Sequence, residues 1–235
     1  KGGTVAGTHR PIMVQESLRH LGLIPTTTDS NSNNCIISSN SNVNLSSSPF
    51  LVIDCTVGYG GHAMHFIDAL KAISNTTELL MIDRDTVELE RTKTRILNYV
   101  NNQSLVGVPP RPPILSFFNS NFAEIETILR TDNNINNNNT KASAIFCDLG
   151  VSSMQLSSPT RGFTYKELNA PLDMRMSTIS SCTNNTTAYE LTAYELLRKL
   201  DVDQLANILK ENGDEVYSKE IACSILVGGM NIPTK

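Results

Sequence analysis

Phe50-Leu51-Val52-Ile53-Asp54-Cys55-Thr56-Val57-Gly58-Tyr59-Gly60-Gly61-His62 is the stretch that decides the fold. Its apolar run, Phe50–Cys55 with Asp54 near its end, predicts a short buried strand. The glycines at 58, 60 and 61 predict a tight turn, and Gly61–Ile73 a helix. In α/β proteins a nucleotide-like ligand sits at such a junction, because glycines let the backbone approach it and the first N–H groups of the helix face it. The spacing is not G-x-G-x-x-G, and no Lys-Ser or Lys-Thr follows as in a phosphate-binding loop. The turn alone therefore leaves the ligand unnamed. Asp54 adds a carboxylate suited to an amine or a sulfonium.

Outward from this junction, short apolar runs alternate with helical patterns. Ile12–Leu21 predicts a helix with apolar residues at 14, 18 and 21, and Leu79–Asp83 a second strand. Thr86–Tyr99 predicts a charged amphipathic helix, Ile114–Phe118 a weaker strand, Phe122–Leu129 a helix, and Ala144–Asp148 a fourth strand. That alternation argues for a parallel sheet with crossover helices. Beyond Gly150 the texture changes. Ser152–Met176 predicts an ordered loop. Helices follow behind the capping boxes Thr192-x-x-Glu195 and Asp201-x-x-Gln204, the second stopped by Gly213, and a last helix spans Val216–Leu226 with Ile221, Ala222, Ile225 and Leu226 on one face. Helices without intervening strands predict a separate subdomain, giving a core over 1–154 and a helical subdomain over 155–235.

Tracts rich in Asn, Ser, Thr or Pro interrupt the pattern at about 26–48, 101–113, 132–141 and 177–187. They lack the apolar surface to order themselves. Each doubling of a loop costs only about 0.6 kcal/mol, so a stable core tolerates them as surface insertions.

Composition narrows the class. With 235 residues, 40% hydrophobic and 18% charged, the chain suits one good core and a smaller appended unit. The net charge is −4, about −2 on either side of Gln155, so no basic field advertises nucleic acid. The five cysteines form no C-x-x-C pair. Cys55 and Cys147 lie in strand-like runs and are expected to be buried, reduced thiols, which favours an intracellular, reducing compartment. His9 and His20 are far from His62 and His65, so no metal site is expected, and a lone His62 is more often a hydrogen-bonded structural residue than a ligand. No apolar run approaches the roughly 18–20 residues that span a membrane. The chain opens on Lys1, and Gly228–Lys235 supplies no closing element, so a fragment is expected.

Further polar residues stand at strand ends. Asp83, closing Leu80-Met81-Ile82-Asp83-Arg84-Asp85, is placed to accept both hydroxyls of a ribose, with Asp85 left to cap the next helix. This pattern suits NAD and S-adenosylmethionine alike. Asp148, in Phe146-Cys147-Asp148-Leu149-Gly150, opens into the same crevice and suits an adenine or a substrate amine; its alternative role is to cap a turn. In Thr160-Arg161-Gly162-Phe163-Thr164-Tyr165 and Ala170–Met176, Arg161, Arg175 and Phe163 could hold a phosphate backbone and stack an extruded base. Equally, Arg161–Asp173 or Arg175–Asp173 ion pairs could simply pin the loop.

Taken in order, His9-x-Pro11-x-Met13-Val14-x-Glu16, the run from Asp54 to His62, Ile82–Asp85, Asp148-Leu149-Gly150-Val151-Ser152-Ser153-x-Gln155-Leu156, Arg161-Gly162-Phe163 and Pro171-Leu172-Asp173-Met174-Arg175-Met176 resemble the RsmH/MraW methyltransferases. The resemblance covers nearly all of the chain outside the Asn-rich tracts. It implies a Rossmann-like class I methyltransferase sheet with an inserted helical substrate-recognition subdomain. The implied reaction transfers a methyl group from S-adenosylmethionine to N4 of a cytosine in small-subunit rRNA, without metal or membrane. By the same resemblance Gly60, Gly61, His62, Asp83, Phe122, Asp148 and Gln155 are expected to contact the cofactor. Asp148 and Asp173 are the candidate acceptors for the base amine, and Arg161, Phe163 and Arg175 the candidate RNA contacts. Cys55 stands where the family usually has glycine, and Val57 where it has an aromatic. The family continues past its inserted subdomain with further strands, which are expected to be absent here. The Asn-rich tracts suggest a eukaryotic, mitochondrial or plastid member; a bacterial one would be cytoplasmic. Two rivals stay open, an NAD-type oxidoreductase and a non-catalytic rRNA-binding or assembly protein.

Overall fold

The computed structural model describes residues 11–24, 50–73, 76–103, 112–131, 141–177 and 191–227. It divides into two compact units, 1–150 and 151–235. The polar tracts fall almost wholly outside the described residues, as do His9, Cys35 and Cys182.

In the first unit α1 (Val14–His20) precedes β1 (Phe50–Asp54), α2 (Gly61–Lys71), β2 (Thr77–Asp83), α3 (Thr86–Gln103), β3 (Ile114–Asn119), α4 (Ile125–Thr131) and β4 (Ala142–Phe146). The strands form a parallel sheet in the order β3-β2-β1-β4. β1 and β2 are central and buried on both faces, which is why they read as unbroken apolar runs. On one face Val52, Leu79 and Met81 pack with Leu18, Phe66, Leu70, Leu89 and Ile96 from α1, α2 and α3. On the other, Leu51, Ile53, Leu80 and Ile82 pack with Ile125, Ile128 and Leu129 of α4. Helices on both faces of a parallel sheet make this the expected Rossmann-like α/β fold. The chain winds outward from β1 to β3 and then returns to place β4 beside β1. That reversal puts a crevice at the carboxyl ends of β1 and β4.

The second unit holds α5 (Ser153–Ser157), a 3₁₀ turn (Pro159–Arg161), α6 (Ala193–Leu197), α7 (Val202–Gly213) and α8 (Ser218–Leu226). Both predicted capping boxes form: Thr192 Oγ1 accepts the Glu195 N–H at 3.1 Å, and Asp201 Oδ1 accepts the Gln204 N–H at 2.8 Å. α7 and α8 pack through Leu205, Ala206 and Ala222 with Leu209, Ile225 and Leu226 around them.

Several boundaries differ from expectation for physical reasons. β4 ends at Phe146 rather than Asp148, because its partner β1 stops at Asp54; Cys147 is consequently exposed, while Cys55 is buried as expected. α3 runs on to Gln103, into the tract expected to be a loop. The segment after β3 enters its helix through a 3₁₀ turn at Phe122–Glu124, capped by the Asn121 side chain. α7 is stopped by Asp214 in the left-handed conformation, φ 50°, so Gly213 is its last helical residue rather than its cap. Among the described residues no helix is long and apolar enough to cross a membrane.

Candidate functional site

Three carboxylates gather at the carboxyl ends of β1, β2 and β4. Asp54 closes β1 and is 1% exposed, with Oδ1 accepting the Thr56 N–H at 3.1 Å. Burial pushes its pKa up to about 7; the Thr56 N–H opposes the shift, and the nearby Asp83 and Asp148 carboxylates add to it. Asp83, at the tip of β2, accepts the Gly58 N–H on Oδ2 and the Asp85 N–H on Oδ1, each at 2.8 Å. Burial still holds its pKa above the ordinary carboxylate value, against the Asp85, Gly58 and Arg84 N–H groups. Asp85 is buried and caps α3, accepting the Glu88 N–H at 3.2 Å. Asp148 is exposed just beyond β4, where its N–H donates to Thr56 Oγ1 at 2.8 Å. Thr56 thus ties the loops after β1 and β4 together. Sequence reasoning passed it over, although its place two residues after a strand-ending aspartate was a signal.

The glycine turn lies between Asp54 and α2. Gly58 and Gly60 have φ +48° and +84°, and a Cβ on Gly60 would lie 2.9 Å from Thr92 Cγ2. Gly61 is close-packed for another reason: a Cβ there would meet the Pro11 ring at 3.1 Å. His62 Nε2 donates to the Ile12 carbonyl at 2.9 Å, and its ring lies 4.8 Å from Phe146. Both residues therefore brace the segment before α1 against the start of α2. No side chain caps α2, whose first N–H groups border the turn. Phe122 follows β3 and is 43% exposed.

The second unit carries the other candidates. Gln155 is 6% exposed, and its Oε1 accepts the Ser152 N–H at 2.9 Å while Ser152 Oγ accepts the Gln155 N–H at 3.2 Å. Ser152-x-x-Gln155 is thus a further capping box, one that the sequence spelled out unnoticed. Arg175 grips Asp173 through two bonds of 2.7 Å, and this pairing, above all, pulls the Asp173 pKa down. Arg161 Nη2 donates to the Arg175 and Met176 carbonyls at 3.0 and 2.8 Å. Of the two ion pairs weighed from the sequence, Arg175–Asp173 forms. Phe163 is half-buried in the same loop.

Gly162 sits where a Cβ would lie 2.5 Å from both Asp173 N and Pro171 O, at φ +73°. Gly162→Ala is therefore expected to destabilise the second unit by about 2–3 kcal/mol, through left-handed strain plus overpacking. Urea unfolding followed by circular dichroism checks it; an unchanged midpoint would contradict the tight crossing.

Glycines at positive φ let a ligand approach the backbone, carboxylates face hydroxyls and amines, and uncapped helix N–H groups suit an anion. That combination fits an amino-acid nucleoside better than a metal. Among the described residues no group of three or more His, Cys, Asp and Glu is arranged to hold a metal ion.

Comparison with known proteins adds family evidence. The sequence signature of the MraW methylase family matches residues 6–231. A protein of Bifidobacterium animalis subsp. lactis called ribosomal RNA small subunit methyltransferase H is 36% identical over 182 residues, 77% of this chain and 43% of the relative. Alkaliphilus metalliredigens has a "methyltransferase H 2" of the same description, 31% identical over 226 residues, 96% of this chain and 50% of its own length. A Clostridium botulinum relative is 34% identical over 170 residues, covering 72% and 45%. The chain spans about half the length of the curated relatives it matches. These relatives are bacterial, and none supports an organellar setting.

Proposed function

The chain belongs to the MraW methylase family, and on that premise we propose that it supplies the cofactor cradle and base-recognition loop of a small-subunit rRNA methyltransferase. The donor is S-adenosylmethionine and the acceptor N4 of a cytosine. The observation that carries the proposal is the convergence of Asp54, Asp83 and Asp148 around a glycine turn that opens onto an uncapped helix. The names carried by the relatives support rRNA of the small subunit as the substrate class.

When bound, S-adenosylmethionine supplies an electrophilic methyl group on a sulfonium, which is a strong leaving group. The glycine turn and the α2 N-terminus would hold its methionine end, with Gly60, Gly61 and His62 on that side. Asp83 would accept the ribose hydroxyls beside the Gly58 and Asp85 N–H groups it already holds, and Phe122 would add an aromatic contact from the same unit; for Gln155, in the second unit, the cofactor role rests on the family resemblance alone. The amine of cytosine is a poor nucleophile because its lone pair is delocalised into the ring. Asp148 accepts an N–H from it and returns electron density to nitrogen, while in-line positioning supplies the larger part of the rate. The base is read outside its stack. Asp173, already gripped by Arg175, is better suited to shaping the RNA-binding loop with Arg161 and Phe163 than to meeting the amine.

Calorimetry separates the proposal from an NAD-type oxidoreductase. S-adenosylhomocysteine is expected to bind saturably, and NAD to give no heat at the same concentrations; the reverse result would overturn the proposal. An rRNA-binding protein without catalytic function would bind neither.

A further inference from the structure

We infer that Thr92 and Arg95, on α3, are positioning residues for the methyl donor: they hold the glycine turn in its ligand-ready shape. The inference rests on the proposal that the donor sits at this turn.

Within the turn one bond closes Val57–Gly60, from the Gly60 N–H to the Val57 carbonyl at 2.7 Å. Gly58 and Gly60 occupy left-handed conformations that glycine adopts as freely as others, so the isolated segment would sample many shapes. Further restraint comes from α3, a helix that begins 26 residues after Gly60. Thr92 is fully buried on its apolar stripe between Leu89 and Ile96, where a hydroxyl is costly unless satisfied. Its Oγ1 donates to the Gly58 carbonyl at 2.5 Å and accepts from Arg95 Nη2 at 2.5 Å. Arg95 also donates from Nε to the Tyr59 carbonyl at 3.3 Å, and its guanidinium lies 3.7 Å over the Tyr59 ring. Thr92 Cγ2 and Ile96 fill the space beside Gly60, 2.9 and 3.2 Å from where a Cβ would be. Three consecutive residues of the turn are thus held by one face of one helix.

The clamp reaches the ligand side through Gly58. Its carbonyl is held by Thr92 and its N–H by Asp83, the proposed ribose acceptor. Rotating either peptide plane of Gly58 disturbs a bond to one of those partners, so the arrangement on α3 and the carboxylate at the tip of β2 are set together. A turn held in this way is ordered before the donor arrives, and binding does not bear the ordering cost.

The test uses S-adenosylhomocysteine calorimetry together with amide hydrogen exchange of residues 57–61 in the ligand-free protein. Thr92→Val keeps the side-chain shape and removes the hydroxyl; it is expected to weaken binding about tenfold and to speed exchange at Gly58. Thr92→Ser keeps the hydroxyl and is expected to stay within about twofold of the parent. Arg95→Met, at a half-exposed position, is expected to weaken binding about threefold to tenfold and to speed exchange in the same turn. A folded Thr92→Val with parental affinity and exchange overturns the inference, as does Thr92→Ser behaving like Thr92→Val. If Thr92→Val does not fold, Arg95→Met decides by the same two measurements. A parent protein that fails to bind S-adenosylhomocysteine contradicts the donor proposal instead, and hydrogen exchange still judges the clamp.

Discussion

Asp148→Ala in the intact protein is expected to slow methyl transfer by about 10³-fold, while binding of S-adenosylhomocysteine weakens by less than about tenfold. The split follows from where Asp148 stands. Its backbone is anchored by the bond to Thr56, so the loop keeps its course in the variant, and its carboxylate is exposed at the mouth of the crevice. On the proposed reading the cofactor still has Asp83 and the glycine turn to hold it. What would be lost is the proposed acceptor for the base amine. Asp148→Asn, which can accept a hydrogen bond but carries no charge, should fall between the two. Single-turnover transfer of labelled methyl to small subunits measures the effect. Label arriving at near-parental rate would remove Asp148 from the chemistry.

The second large effect is at Asp54, and its sign is opposite. A carboxyl whose folded pKa is about 7 instead of the ordinary 3.8 binds its proton more tightly in the folded state. The stability this contributes is fully present below about pH 4 and is lost as pH rises to about 7, for a total of about 4 kcal/mol. Asp54→Asn retains an oxygen for the Thr56 N–H and has no proton to lose. It is therefore expected to match the parent near pH 4 and to be more stable by about 4 kcal/mol at pH 8. Denaturant unfolding across that range tests this, and a parent–variant difference independent of pH would contradict it. If S-adenosylmethionine binds at this turn as proposed, the same substitution should weaken its binding most at high pH, where the parent's Asp54 is ionised and attracts a positive charge. A gain in stability with a loss in binding marks a residue retained for function.

The sheet and its helices were legible because their patterns are local. Phe50–Asp54 and Thr77–Asp83 are continuous apolar runs, and α7 announced itself through Asp201-x-x-Gln204. Strand ends were less legible, since β4 stops where β1 ceases to pair with it, a fact about another segment. The cysteines show the consequence: Cys55 is buried and Cys147, beyond the strand end, is exposed. At the site, the strand-tip aspartates stood out by position. Thr56, Thr92 and Arg95 did not, because their importance lies in bonds to residues 34 to 92 positions away in the chain. Local clues were few: Thr56 stands two residues after a strand-ending aspartate, and Thr92 is a threonine in the apolar stripe of α3. Gly61 and His62 show the limit from the other side: their motif suggests ligand contact, whereas Gly61 packs against Pro11 and His62 meets the Ile12 carbonyl and the Phe66 and Phe146 rings.

The central proposal is methylation of a cytosine amine in small-subunit rRNA, and nucleoside analysis tests it most directly. The intact protein is incubated with isotopically labelled S-adenosylmethionine and small ribosomal subunits lacking the modification, and the rRNA is digested for mass spectrometry. The expected result is label in N4-methylcytidine alone. Label in 5-methylcytidine or in a purine, or unlabelled rRNA under conditions where S-adenosylhomocysteine saturates the protein, would contradict it.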